Sequence, residues 1–143
     1  MKASVSIVLC TYNGAKYLSE QLESILAQTY PLHEIIIQDD NSTDETVNII
    51  HEYACKYSLI KFFENNSAHG VNGNFISAMQ RATGDYIAIS DQDDIWETDK
   101  IENQMNSIGK NLLCSGFSRP FSTDGSFAYF DHRKRNVNVV RMC

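Results

Sequence analysis

The apolar positions change period several times along the chain. Val5-Ser6-Ile7-Val8-Leu9-Cys10 is a nearly continuous apolar run, the pattern of a strand covered on both faces. Leu18, Leu22, Ile25 and Leu26 then recur at helical spacing, and Pro31 blocks continuation of that helix. Ile35-Ile36-Ile37 is a second strand, β-branched throughout. Ser42-Thr43-Asp44-Glu45 has the form of a capping box and predicts a second helix, with Val47, Ile50 and Ala54 inside and Tyr53 and Tyr57 at the margin. Ile60 to Phe63 reads as a third strand. Asn72-Gly73-Asn74 leads into a third helix carrying Phe75, Met79 and Ala82 and stopped by Gly84. Tyr86 to Ile89 is a fourth strand. A fourth helix, capped by Thr98, carries Ile101, Met105 and Ile108 and ends at Gly109; Leu112-Leu113-Cys114 is a fifth strand.

Strands alternating with helices predict an α/β fold with a mostly parallel sheet flanked by helices. Residues 1–115 make one core. Residues 116–143 read as a hairpin turning at Asp124-Gly125, then a tail in which His132-Arg133-Lys134-Arg135 is solvated or frayed.

The chain has 143 residues, room for one compact core. Its net charge of −6 argues against a nucleic-acid partner. Cys10, Cys55, Cys114 and Cys143 form no C-x-x-C pair, which predicts reduced structural thiols in a cytoplasmic protein. No apolar run approaches the ~18 residues of a membrane span. The short run at Val5 to Cys10 reads as a first strand rather than a signal peptide.

Ligands of open α/β sheets bind outside the carboxyl ends of the strands. Those positions here are Thr11-Tyr12-Asn13, Asp39-Asp40-Asn41, Asn65-Asn66 with His69-Gly70 further on, and Asp91-Gln92-Asp93-Asp94. No G-x-G-x-x-G follows the first strand and no P-loop motif exists, so a Gly-rich cradle for phosphate is absent. If a diphosphate binds beside these carboxylates, a divalent cation must offset the repulsion, about 4 kcal/mol for each like-charged pair ~4 Å apart.

Other chemistries fit less well. An EF-hand loop starting at Asp91 fails because Trp96 stands where glycine is required and Ile95 where a ligand is required. A phosphoaspartate at Asp91 lacks a clear Ser/Thr and Lys set downstream. Tyr12 either stacks on a base or is a half-buried aromatic at a strand end. Asp39 and Asp40 either meet a base or ribose or charge a helix N-terminus, and Asn13 is either a ligand contact or a helix cap. Trp96 reads as a core anchor, His69 as a residue of a solvated loop, and His33 and His51 as structural.

Taken together, Val5 to Asn13, Ser24…Gln28-Thr29-Tyr30-Pro31…Glu34 to Ile37, Asp39 to Asp44, Gly84 to Ile87 and Ser90 to Trp96 resemble the family 2 glycosyltransferases of GT-A fold, in order over about residues 4–108. The Ser90 to Trp96 version is similar to members that build bacterial surface polysaccharides. The resemblance implies a metal-dependent, inverting transfer of a sugar from a nucleoside diphosphate sugar (a UDP- or dTDP-sugar) to a glycan or lipid-linked acceptor. It implies Mn²⁺ or Mg²⁺ as cofactor and a cytoplasmic protein, with peripheral association at the inner face of the membrane. By the same resemblance Thr11, Tyr12, Asn13, Asp39 and Asp40 belong to the nucleoside pocket, with Asp39 on the base. Asp91 and Asp93 match the metal and diphosphate motif, and Asp94 flanks it. The family's catalytic base lies in a second half, so it is expected beyond Cys143, and the chain reads as a donor-binding half truncated before the acceptor region. The alternative is an inactive fragment that binds a nucleotide-sugar and transfers nothing.

Overall fold

A computed structural model describes residues 2–66 and 69–117, and the strand backbone of Arg135–Arg141. In chain order the elements are β1 (Val5–Thr11), α1 (Ala15–Leu26), β2 (Glu34–Asp39), α2 (Thr46–Lys56), β3 (Ile60–Glu64), α3 (Val71–Met79), β4 (Tyr86–Ser90), α4 (Lys100–Ile108), β5 (Leu113–Phe117) and β6 (Arg135–Arg141). The strands form one sheet in the order β3-β2-β1-β4-β6-β5. β1 pairs in parallel with β2 and β4, and β2 with β3, whereas β6 is antiparallel to β4 and β5.

Every residue of β1 and β2 is buried. Alternation sorts their side chains onto two faces. Val5, Ile7, Leu9, Ile35 and Ile37 join Leu18, Leu22 and Ile25 of α1, Ile50 of α2 and Ile101 and Ile108 of α4. Val8, Cys10, Ile36 and Ile87 meet Ala78 of α3 and Ala82 on the other face. Each fully buried aliphatic side chain contributes about 1.5–3 kcal/mol, which explains the unbroken apolar runs in the two strands. Cys10, Cys55 and Cys114 are free thiols, and burial, then the charges of Asp91 and Asp40, pushes the Cys10 thiol up to about 12.

Several helix ends differ from expectation. Ser42 caps nothing: α2 starts at Thr46, and the Thr46 N–H is received by Asp44 Oδ1 at 3.0 Å. Ser42 instead donates to Asp39 Oδ1 at 2.6 Å, because the loop folds back onto β2. α4 starts at Lys100 rather than under a Thr98 cap, and Gln28 Oε1, two residues past the end of α1, accepts the Ile101 N–H at 3.0 Å. α1 starts after Gly14, with Asn13 outside it. α3 already contains Asn72-Gly73-Asn74 and ends at Met79, before Gly84.

Arg135–Arg141 is a strand between β4 and β5, where the sequence reading has a tail. Asn136-Val137-Asn138-Val139 alternates with period two, the signal that reading passed over. The expected turn at Asp124-Gly125 lies outside the described residues.

Gly84 holds β4 against β1. A Cβ there would lie 2.8 Å from Ser6 Oγ and 2.9 Å from Ser6 N, and the Gly84 N–H donates to Ser6 Oγ at 2.9 Å. The same hydroxyl donates to buried Glu34, which also receives Lys61 Nζ at 2.6 Å and the Thr83 N–H at 2.7 Å. Burial alone would raise the Glu34 carboxyl. The bonds from Lys61, Thr83 and Ser6 outweigh it and hold the group at about 2.

The ionised form of Glu34 is therefore the one that stabilises the fold. Its contribution is complete above pH 4.5, the ordinary value, and is lost as pH falls from there to about 2. It amounts to at most about 3 kcal/mol. Glu34→Gln is expected to lower stability at pH 7 and to flatten the pH dependence of urea unfolding across that window; an unchanged slope would refute the assignment.

Candidate functional site

The carboxyl ends of β1, β2 and β4 border a cavity of about 590 Å³, within the usual size for a small-molecule site. Thr11 and Tyr12 line it from β1, Asp40 and Asn41 from β2, and Asp91, Gln92 and Asp93 from β4. His69, Gly70, Val71, Asn74 and Phe75 close it from the segment between β3 and α3 and from α3 itself. Parallel strands lie about 4.8 Å apart, so the β4 carboxylates and the β2 end are separated by roughly two strand spacings, ~10 Å, with β1 between.

The floor is built from the β1 and β2 ends. Thr11 and Asp39 are direct partners in the sheet, and Thr11 Oγ1 donates to Asp39 Oδ1 at 2.6 Å. Ser42 adds its N–H to Asp39 Oδ2 at 2.7 Å. Asp39 is thus buried and engaged beneath the cavity rather than lining it. Asn13 is also outside the lining. Its backbone is left-handed (φ 46°), its N–H donates to Ser42 Oγ at 2.8 Å, and its Oδ1 accepts the Thr43 N–H at 2.8 Å. These bonds stitch the loop after β1 to the loop after β2.

Gln92 clamps the other side. Its Oε1 accepts the Tyr12 N–H at 2.8 Å and its Nε2 donates to Tyr12 O at 2.9 Å. The Tyr12 backbone is fixed while its ring stays 58% exposed at the cavity. A Cβ on Gly14 would sit 2.2 Å from Gln92 Oε1, so this clamp needs a glycine at that position. Gln92 is a site residue that the sequence reading passed over within the acidic cluster.

Asp40 points into the cavity with its carboxylate oriented by three donors. Asn65 Nδ2 (2.8 Å) and His69 Nδ1 (2.7 Å) reach Oδ1, and the Gly70 N–H reaches Oδ2 at 2.7 Å. Burial raises the group, but the bonds from His69, Gly70 and Asn65 win and lower it below the usual carboxylate range. His69 is accordingly not merely a residue of a solvated loop: Asp40 is the partner that sequence reading could not supply.

The acidic cluster carries the opposite electrostatics. Lost hydration, then the Asp93 charge, raises the Asp91 carboxyl. Lost hydration, then Asp91 and Asp93, raises Asp94, with Lys100 opposing. Asp94 is outside the cavity lining, whereas Asp91 and Asp93 both face in. Helix α1 and the turn after it hold the segment in place. Gln21 Nε2 donates to Ser90 Oγ, Ser24 Oγ accepts the Trp96 N–H at 3.1 Å, and Gln28 Nε2 donates to Glu97 O at 2.7 Å. Trp96 is buried in the core, as expected.

The sequence model for Glycosyl transferase family 2 matches residues 6–141. The chain belongs to this family. A curated relative from Escherichia coli, UDP-Glc:alpha-D-GlcNAc-diphosphoundecaprenol beta-1,3-glucosyltransferase WfaP, is 44% identical over 80% of this chain and 45% of its own length. The mannosyltransferase PcManGT from Pyrobaculum calidifontis, solved in complex with GDP-Man and Mn2+, superposes with a TM-score of 0.72 at 26% identity, covering 80% of this family 2 chain and 35% of that one. S. aureus TarS 1-349 in complex with UDP-GlcNAc superposes with a TM-score of 0.66 at 26% identity, over 77% and 32% of the respective chains. The chain spans between about a third and a half of the length of the curated relatives it matches. The GT-A-like, mostly parallel architecture expected from the sequence is thus the observed one.

Gly14→Ala is expected to break the Gln92 clamp, because the new methyl occupies the space of its amide oxygen. Thermal melting should shift down by several degrees, on the scale of 1–2 kcal/mol for a domain this size, about 2–8 °C. An unshifted melt would show that the clamp is dispensable.

Proposed function

We propose that this chain supplies the donor-binding side of a glycosyltransferase, which takes a nucleoside diphosphate sugar and passes the sugar to a glycan or lipid-linked acceptor in cell-surface polysaccharide synthesis. One observation carries the reading: a single cavity at the strand ends joins an exposed aromatic ring, Tyr12, to two facing carboxylates, Asp91 and Asp93, in a family 2 fold. The donor lies across the end of β1. Its base stacks on Tyr12, near Asp40, an arrangement worth about 1–3 kcal/mol per stacked base. Its diphosphate lies toward β4. Thr11, Asn13 and Asp39 act beneath the nucleoside by fixing the loops that present Tyr12 and Asp40.

The acidic side fits a divalent cation, Mn²⁺ or Mg²⁺. Lost hydration raises both Asp91 and Asp94, and the neighbouring carboxylates add to it, so the cluster gains when a positive charge neutralises it. Among the described residues no group of three or more His, Cys, Asp or Glu side chains is placed to hold a metal ion by itself. An ion here would rest on one or two carboxylates and take its other ligands from phosphate oxygens and water. Asp91 and Asp93 would hold it, with Asp94 flanking. Bound there, the ion would neutralise the departing diphosphate.

The chain's own residues orient the donor. Tyr12 and Asp40 seat the nucleoside, and the α1 anchors keep the Asp91–Asp93 segment from recoiling. A lipid-linked acceptor would place the work at the inner face of the membrane. Among the described residues no helix is long and apolar enough to cross one.

A nucleoside diphosphate (UDP, dTDP and GDP each tried) is expected to raise the melting temperature only with Mn²⁺ or Mg²⁺ present. The stabilisation should approach about 2.7 kcal/mol at a hundredfold excess over Kd. Asp93→Ala should abolish the metal-dependent part. A nucleotide shift indifferent to metal would falsify the cation role, and no shift under any metal would remove the donor reading. Sugar transfer from a bound UDP- or dTDP-sugar, assayed by nucleotide release, separates an active enzyme from a protein that only binds.

A further inference from the structure

We propose that His69 is a positioning residue for the nucleoside end of the donor, acting through Asp40; this rests on the donor-binding reading above. His69 and Asp40 both line the cavity, yet they come from different parts of the chain and meet only through the fold. His69 Nδ1 lies 2.7 Å from Asp40 Oδ1. The next residue adds its own contact, Gly70 N–H to Asp40 Oδ2 at 2.7 Å. Two successive residues just before α3 thus grip both oxygens of one carboxylate.

The Asp40 side chain is only 12% exposed, whereas that of His69 is 61% exposed. An imidazole so open to water contributes little to the core, and it lines the cavity beside Asp40. Asp40 accepts, so the Nδ1 hydrogen points at Asp40 and the ring presents Nε2 as its remaining polar edge. With Asn65 Nδ2 also on Oδ1, donors among the described residues take two acceptor directions on Oδ1 and one on Oδ2. His69 therefore fixes which way Asp40 can accept a hydrogen bond from whatever sits against it. Removing His69 frees the carboxylate to rotate and loosens one wall at the β2–β3 side. The β4 carboxylates lie about 10 Å away across β1, so the diphosphate end should not feel the change.

The test is titration calorimetry of the full chain with Mn²⁺ and whichever of UDP, dTDP or GDP binds tightest, beside Mn²⁺ with inorganic pyrophosphate. His69→Ala is expected to weaken nucleotide binding about tenfold, on the scale of one hydrogen bond to a charged group, and to leave pyrophosphate affinity unchanged. His69→Asn carries an amide N–H where Nδ1–H lies and should recover most of the loss. In an Asp40→Asn background, His69→Ala should cost little more, because the two residues act as one. Wild-type nucleotide affinity in His69→Ala overturns the proposal. So does an equal loss for pyrophosphate, or an Asn variant as weak as Ala. If the unaltered chain binds no nucleotide at all, the donor-binding reading itself fails, which is a distinct outcome.

Discussion

The structure depends on β1 being buried along its whole length between two parallel neighbours. Backbone bonds to β2 on one side and β4 on the other leave it no alternative register, because a one-residue slip would exchange its two packed faces. That constraint places Thr11 beside Asp39 and sets the end of β4 alongside. The polar loops that follow must then converge on one edge. A site assembled from residues 10–12, 40–41, 69–71, 74–75 and 91–93 is a consequence of that pairing.

Convergence alone would leave floppy loops, and side-chain bonds to backbone groups remove the slack. Gln92 grips both polar backbone atoms of Tyr12, Asn13 and Ser42 tie two loops together, and α1 and the turn after it anchor the acidic segment at Ser90, Trp96 and Glu97. These bonds hold Asp91, Asp93 and Asp94 near one another although their charges oppose it. Such tension, maintained by surrounding structure, is what a site for a cationic or metal-bridged ligand requires. At the other end Asp40 is relaxed, its charge satisfied by donors. The carboxylates at the two ends of the cavity are thus shifted in opposite directions, Asp40 down and Asp91 up.

Most of the scaffold was legible in the sequence for simple reasons. Ile35-Ile36-Ile37 and the Val5 run read as short strands buried on both faces, and Leu18, Leu22 and Ile25 share one helical stripe. The helix ends were less legible. A capping motif such as Ser42-Thr43-Asp44-Glu45 competes with any partner that the fold brings closer, and here Asp39 and Asn13 claimed Ser42. Gln28 replaced Thr98 at the start of α4 for the same reason, from 73 residues away. His69 looked inert because its partner lies 29 residues earlier, at the end of another strand.

The sequence by itself determined the α/β class, the strand and helix cores and the polarity of each strand end, because these follow from local period and composition. It also marked Thr11, Tyr12, Asp40, Asp91 and Asp93 as residues of interest, and these five do line the cavity. Only the tertiary structure decided that Asp39, Asn13 and Asp94 stand outside that lining, that Gln92 is a clamp and that His69 belongs to Asp40. Hydrogen-bond partners and burial are properties of neighbours in space. A strand order of β3-β2-β1-β4, not the order of the chain, chooses those neighbours.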